Sequence, residues 1–380
     1  MIKLFGDKLI WTVSIFLFLA SVLLVYSSGG KHIIFEHLTH CFLGLGLMFI
    51  CSRFNYRYFT NLSSILVFIS FGLLLFLILP SIFGDVNIRS TRWIKISIFS
   101  FQPSELAKYS LILFLCRNIF LYKDIITKFK YFALYILLPI VGVVILILPS
   151  NLSTASLILF ISLFIVFISG YKLSLYILYV ILPLFSFLSF FVLLLILPTH
   201  ALLLDSSIPT WKNRICSEGI TFIDCSHYSK RTITDTQHQK NKAKAAISRG
   251  GLLGQGAGSS HYKRALPESK TDFIFAILVE EYGLIGGGLV LSLYLLFYQR
   301  IIILSLKSRD DFPRLLLLGL GTVIIVQALL NISVAVNLIP VTGQTLPLIS
   351  KGGSSIWATS LALGIILNIS HEINSEPKKI

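Results

Sequence analysis

The sequence predicts an all-α polytopic membrane protein, and three observations carry that prediction. Hydrophobic residues make up 55% of the 380 positions and charged residues only 13%, about half the charged share of an average soluble domain. Mean hydropathy is +0.85, which excludes a soluble globular fold. Apolar stretches of the roughly 20 residues needed to cross a bilayer recur along the whole chain. The net charge of +15, from 32 Lys+Arg against 17 Asp+Glu, then reads first as topology signal and anionic-lipid contact. No nucleic-acid partner is expected.

Ten spans are predicted, near residues 9–27, 32–51, 60–83, 103–121, 131–149, 152–170, 173–197, 272–299, 312–338 and 352–370. They form one domain over 1–380, without a soluble linker or an internal repeat. The first stretch is long enough to span and lacks a convincing cleavage site, so no cleavable signal peptide is expected. With the N-terminus inside, inner segments hold fifteen Lys/Arg and the short outer loops hold five: Lys31, Arg89, Arg92, Lys95 and Lys351. That bias places both termini in the cytoplasm. The loop 84–102 breaks the rule with Arg89, Arg92 and Lys95, so its basic cluster has a task other than orientation.

One extracytoplasmic loop dominates, residues 198–271 between the seventh and eighth spans. It carries eleven Lys/Arg and five acids, a net +6, and loops of this length are usually functional. Ala243–Ile247 reads as helical and Gly250–Gly258 as a tight irregular turn. Five cysteines without a CxxC pair exclude a zinc ribbon and a disulfide framework. Cys216 and Cys225 lie on the outer side, where a local disulfide is one reading; a metal site with His227 and His238 has poor ligand spacing.

Three patches carry candidate chemistry. In the first, the glycines from Gly250 to Gly258, including Gly254 and Gly256, permit positive φ and close backbone approach. With Lys263, Arg264 and Lys270 beside them, their N–H groups suit a phosphate or diphosphate; a plain surface turn is the alternative. Asp272 stands where the loop re-enters the membrane, a partly desolvated place for a general base or for a helix N-cap. Glu280 and Glu281 follow at membrane depth, as functional carboxylates or as buried partners of Lys108 or another cation. In the second patch, alternating apolar and basic residues from Arg92 to Phe99 read as an amphipathic segment on the outer leaflet, anchored by Trp93. Pro103 fits the first turn of the fourth span, and Glu105 and Lys108 stand at pairing distance on it. In the third, Leu338–Ser355, prolines and glycines including Pro340 and Gly343 impose irregular backbone, tolerated at membrane depth only where it lines a cavity or packs on protein.

RSTRWI with FQPSELAK, RGGLLGQGAGSS with LPE, TDFIFA and EEYGLIG, and PVTGQTLPLISKGGSS occur in that order across the chain. Together they resemble the SEDS peptidoglycan polymerases, and the glycine turn followed by Lys263 and LPE is more similar to the division-type branch than to the elongation-type branch. Two departures are Pro149–Ala155, where the family often has aspartate and glycine, and Lys270, where it often has histidine. The resemblance implies polymerisation of lipid II into glycan strands outside the cytoplasmic membrane, at the division septum, with Asp272 as general base. It implies substrate contacts from Arg92, Trp93, Lys108, Lys263, Glu268 and Ser354, and a cavity shaped by Glu280, Glu281, Gly254, Gly256, Pro340 and Gly343. The leaving group would be undecaprenyl diphosphate, with a divalent cation an optional aid and no other cofactor. The implied partners are lipid II, the undecaprenyl-diphosphate-linked glycan, a class B penicillin-binding transpeptidase and other division proteins. An elongation-type polymerase, a lipid II flippase and a scaffold that only recruits the transpeptidase are the rivals.

Overall fold

The computed structural model describes residues 5–82, 92–96, 99–170, 230–266 and 268–375. Apolar helices dominate these segments because a chain in lipid must satisfy its backbone internally. Helix α1 (Lys8–Arg53) contains two candidate spans, Lys8–Gly29 and Ile33–Arg53. Ser21 Oγ lies 2.7 Å from His37 Nε2, whereas 16 residues of straight helix would separate them by about 24 Å. The chain therefore reverses between the two arms of α1.

Helix α2 is Tyr56–Ile82, and β1 (Ile94–Ile96) pairs antiparallel with β2 (Phe99–Phe101), Ile94 opposite Phe101. Helix α3 (Pro103–Leu121) begins with Pro103 in its first turn and Gln102 at the cap. Helix α4 (Phe129–Ile147) contains a π turn at Ala133–Leu137. Pro139 lacks an N–H and so frees the Tyr135 carbonyl, which accepts from Asn118 Nδ2 of α3 at 3.0 Å. Helix α5 is Leu152–Ile168, α6 Lys230–Gly250, α7 Ile274–Lys307, α8 Asp311–Ala335 and α9 Gly353–Ser375.

Seven spans, the two arms of α1 and Tyr56–Ile78, Phe129–Ile147, Ile274–Lys307, Asp311–Ala335 and Gly353–Ser375, are long and apolar enough to cross a membrane among the described residues. Helix α3 occupies the predicted fourth span but carries Glu105, Lys108 and Arg117. Helix α5 is a shorter apolar helix of 17 residues. The predicted seventh span, Arg89, Cys216, Cys225 and His227 lie outside the described residues; Cys41, Cys51 and Cys116 are buried free thiols.

Phe35, Phe42, Phe68 and Leu306 point outward, each at least 70% exposed, as lipid-facing side chains do. Inside, α1 and α9 approach closely over small residues: a Cβ on Gly364 would lie 2.5 Å from Cys51 Cβ, and one on Gly44 2.8 Å from Ser360 Oγ. One end of the bundle is tied by Asp7, which accepts from Arg300 at 2.6 Å while its N–H donates to Ser370 Oγ. The start of α1 and the end of α9 thus share an end. Asp272 and the 338–352 loop occupy the other.

Candidate active site

The site is built where four non-helical segments meet. Helix α7 begins at Ile274 with Phe273 at the cap, so Asp272 is not the helix cap that its place in the sequence allows. It sits in a turn set by Glu268, whose φ of 57° is left-handed, a conformation that costs a non-glycine residue about 1–2 kcal/mol. The Glu268 carbonyl accepts from the N–H groups of Thr271 and Phe273, and its carboxylate accepts from Thr271 Oγ1 at 2.7 Å.

Three consecutive carbonyls then fix the segment. Lys270 O accepts from Lys351 N at 2.8 Å, Thr271 O from Ser350 Oγ at 2.6 Å, and Asp272 O from Asn331 Nδ2 at 2.9 Å. With its main chain held, the half-buried Asp272 side chain reaches Gly343: a Cβ there would lie 3.7 Å from Asp272 Oδ2 and 3.8 Å from Arg92 Nη1. Carboxylate and guanidinium converge on one glycine, whose φ of 69° no L-residue adopts readily. Arg92 also donates from Nε to Ser150 O, next to Asn151, which caps α5 through Thr154 N. Trp93 follows, half-buried, immediately before β1. The alternation around it belongs to a β-hairpin, the natural form of a period of two.

The 338–352 loop has the irregular backbone expected of it. Gln344 donates to Thr154 Oγ1 at 2.7 Å, and its carbonyl accepts from Asn331 Nδ2 at 2.7 Å. Pro340, Val341 and Thr342, with α5 and α8, line an apolar cavity of about 540 Å³, ending one residue from Gly343. Beneath the loop, Lys108 is fully buried and donates to Glu105 at 2.8 Å and to Gln327, whose amide donates to Thr345 O at 3.0 Å. Lys108 thus pairs with Glu105 and not with Glu280 or Glu281. It supports the loop from below.

The glycine turn corrects the expectation of a phosphate cradle. Helix α7 breaks at Gly283 (φ 71°, ψ −175°), which frees the carbonyls of Glu280 and Glu281 and the N–H groups of Leu284 and Ile285. The turn satisfies all four: Gln255 N and Gly256 N donate to Glu280 O and Glu281 O, while Gly251 O and Leu252 O accept from Leu284 N and Ile285 N. A Cβ on Gly254 would lie 2.2 Å from Glu281 O. Those amides are committed to protein, so the glycines weld the turn to the broken helix. The Glu280 carboxylate accepts from Ser260 Oγ and the N–H groups of His261 and Tyr262, and Glu281 from Ser27. Lys263 closes the same turn through Gly258 O at 2.6 Å. Ser354 is buried in the first turn of α9, its hydroxyl without a partner among the described residues. No described contact joins Lys263 or Ser354 to Asp272.

Sequence reasoning passed over Gln327 and Asn331. Two buried amides one turn apart in an otherwise apolar span were the available signal.

The family model described as cell cycle protein, FtsW/RodA/SpoVE, matches residues 4–375. Stage V sporulation protein E of Bacillus subtilis is 30% identical over 96% of each chain. The probable peptidoglycan glycosyltransferase FtsW of Coxiella burnetii is 32% identical over 90% of this chain and 87% of its own. Among solved structures, a chain of a peptidoglycan synthase complex that coordinates polymerization and crosslinking superposes with TM-score 0.71 at 26% identity, covering 98% of this chain and 99% of its own. The rod shape determining protein RodA of Thermus thermophilus shares the fold with TM-score 0.65 at 24% identity, covering 98% of each chain. A match over nearly the whole length, with a membrane bundle that gathers three widely separated motifs around Gly343, places this chain in the FtsW/RodA/SpoVE family.

Proposed function

We propose that the protein is a peptidoglycan glycosyltransferase that polymerises lipid II into glycan strands on the outer face of the cytoplasmic membrane. The observation that carries this reading is the convergence of Asp272 Oδ2 and Arg92 Nη1 on Gly343, beside an apolar cavity able to take part of a lipid chain. In the reaction, Asp272 takes the proton of the acceptor sugar 4-hydroxyl as its oxygen attacks the donor anomeric carbon. The bond from that carbon to the diphosphate breaks, and undecaprenyl diphosphate leaves with its electron pair. Arg92 meets the developing negative charge, which a rigid guanidinium does with two parallel hydrogen bonds. A divalent cation would serve the same diphosphate.

The topology follows from the charge bias: ten spans, both termini inside, and the 198–271 loop outside. The shared end of α1 and α9, opposite Asp272, supports that arrangement. Relatives bearing the FtsW name support a division role at the septum, and the synthase-complex neighbour supports a class B penicillin-binding transpeptidase as partner.

Purified protein in detergent or liposomes, incubated with lipid II alone and with its transpeptidase, tests the reading. Glycan strands are the expected product. Transbilayer movement of lipid II without polymer would establish a flippase, and inactivity in both assays with the transpeptidase still bound would leave a scaffold.

A further inference from the structure

The 349–351 segment that holds the Asp272 turn is itself held from α1, by groups that proton transfer at Asp272 does not use. Ser21 Oγ is fully buried and donates to Ile349 O at 2.7 Å. Its single hydrogen is then engaged, so the 2.7 Å contact with His37 Nε2 has the imidazole as donor. His37 therefore carries its proton on Nε2, and Nδ1 has no partner among the described residues. Cys41 Sγ lies 3.4 Å from the same nitrogen.

Immediately before His37 in the chain, Glu36 accepts from Lys351 Nζ at 2.8 Å. His40 stands against Gly353, where an added Cβ would lie 2.7 Å from its ring. From the other side, Tyr294 donates to Pro347 O. Each anchored residue passes its constraint on: Ile349 is followed by Ser350, which bonds Thr271, and Lys351 N bonds Lys270.

We infer that Ser21, His37 and Glu36 of α1 are positioning residues for Asp272, acting through Ile349, Ser350 and Lys351. The inference rests on the reading of Asp272 as general base. The His37–Ser21–Ile349 chain is a register pin: it fixes the loop along the bundle axis, and the loop fixes two successive carbonyls of the catalytic turn, those of Lys270 and Thr271. The Glu36–Lys351 pair is partly exposed and contributes little to stability, so its consequence lies in geometry.

Steady-state polymerisation of lipid II by full-length purified variants tests this. Ser21→Ala should lower kcat roughly tenfold, the kinetic equivalent of one lost buried hydrogen bond, with KM for lipid II unchanged. Glu36→Gln should lower kcat a few-fold, in keeping with an exposed pair, and the exchange Glu36→Lys with Lys351→Glu should restore it. Asp272→Asn run in parallel separates the two levels of the argument. If Asp272→Asn polymerises normally, the general-base reading falls. If Asp272→Asn is dead while Ser21→Ala and Glu36→Gln keep wild-type kcat, the positioning inference alone is overturned. A rise in KM at constant kcat, or a fall in kcat that the charge exchange leaves uncorrected, overturns it as well.

Discussion

Two glycine-bearing loops face the same end of the bundle, and they do opposite things. The Gly250–Gly258 turn commits its amides to the gap in α7 at Gly283, whereas the 338–352 loop leaves Gly343 open toward Asp272 and Arg92. In the sequence the first reads as a phosphate cradle or a plain surface turn, and the second as irregular backbone that lines a cavity or packs on protein. The difference teaches that glycine content marks where backbones come close, and the partners of the freed N–H and C=O groups decide whether a substrate or the protein itself fills the approach.

That contrast can be broken from either side. The largest effect is expected in the weld: Gly283→Val places a side chain 2.2 Å from Leu252 O in a left-handed conformation, and should abolish folded protein, read as loss of a monodisperse peak on size exclusion. Lys108→Met, beneath the other loop, leaves the Glu105 carboxylate buried without its cation and should cost about 3–5 kcal/mol of stability; the thermal transition reports it.

Gly343→Ala is the sharpest discriminator. Its Cβ meets Asp272 and Arg92 only at ordinary contact distance, so the variant should fold with a loss of about 1–2 kcal/mol from the left-handed backbone. Polymerisation, in contrast, should fall at least tenfold, since the methyl takes up space against both the carboxylate and the guanidinium. A variant with normal turnover would separate Gly343 from the chemistry.

The smallest effect concerns the docking of α6 on α7. Burial of Lys240, with Lys244 nearby, lowers its pKa below the ordinary 10.5. Between that lowered value and 10.5 the unfolded chain binds more protons, so this residue makes stability rise with pH there. Lys240→Met should remove that slope, checked by thermal melts across the alkaline range.

How far the sequence could be read depends on what each feature rests upon. Hydropathy locates helices from local composition, so α2, α7, α8, α9 and both arms of α1 were legible, and α3 began at Pro103 as its fixed φ requires. Asp272 was legible because a carboxylate at a loop–membrane boundary is conspicuous. The weld was not, since the need for it arises only once Gly283 breaks α7 and leaves four backbone groups open. The hairpin at Ile94–Phe101 was hidden by the same alternation that an interfacial segment shows. Lys108 took Glu105, its neighbour on α3, over the more distant glutamates of α7, because a pair three residues apart is already together when the helix forms.

The central claim is that Asp272 moves a proton while the nearby buried carboxylates only hold structure. Turnover of lipid II by purified Asp272→Asn, set beside Glu281→Gln at matched thermal stability, tests it most directly. Asp272→Asn should lose about 10²–10⁴-fold in kcat, with Glu281→Gln within a few-fold of wild type. Glycan synthesis by Asp272→Asn at near wild-type rate, or an equal loss in both variants, would contradict the account.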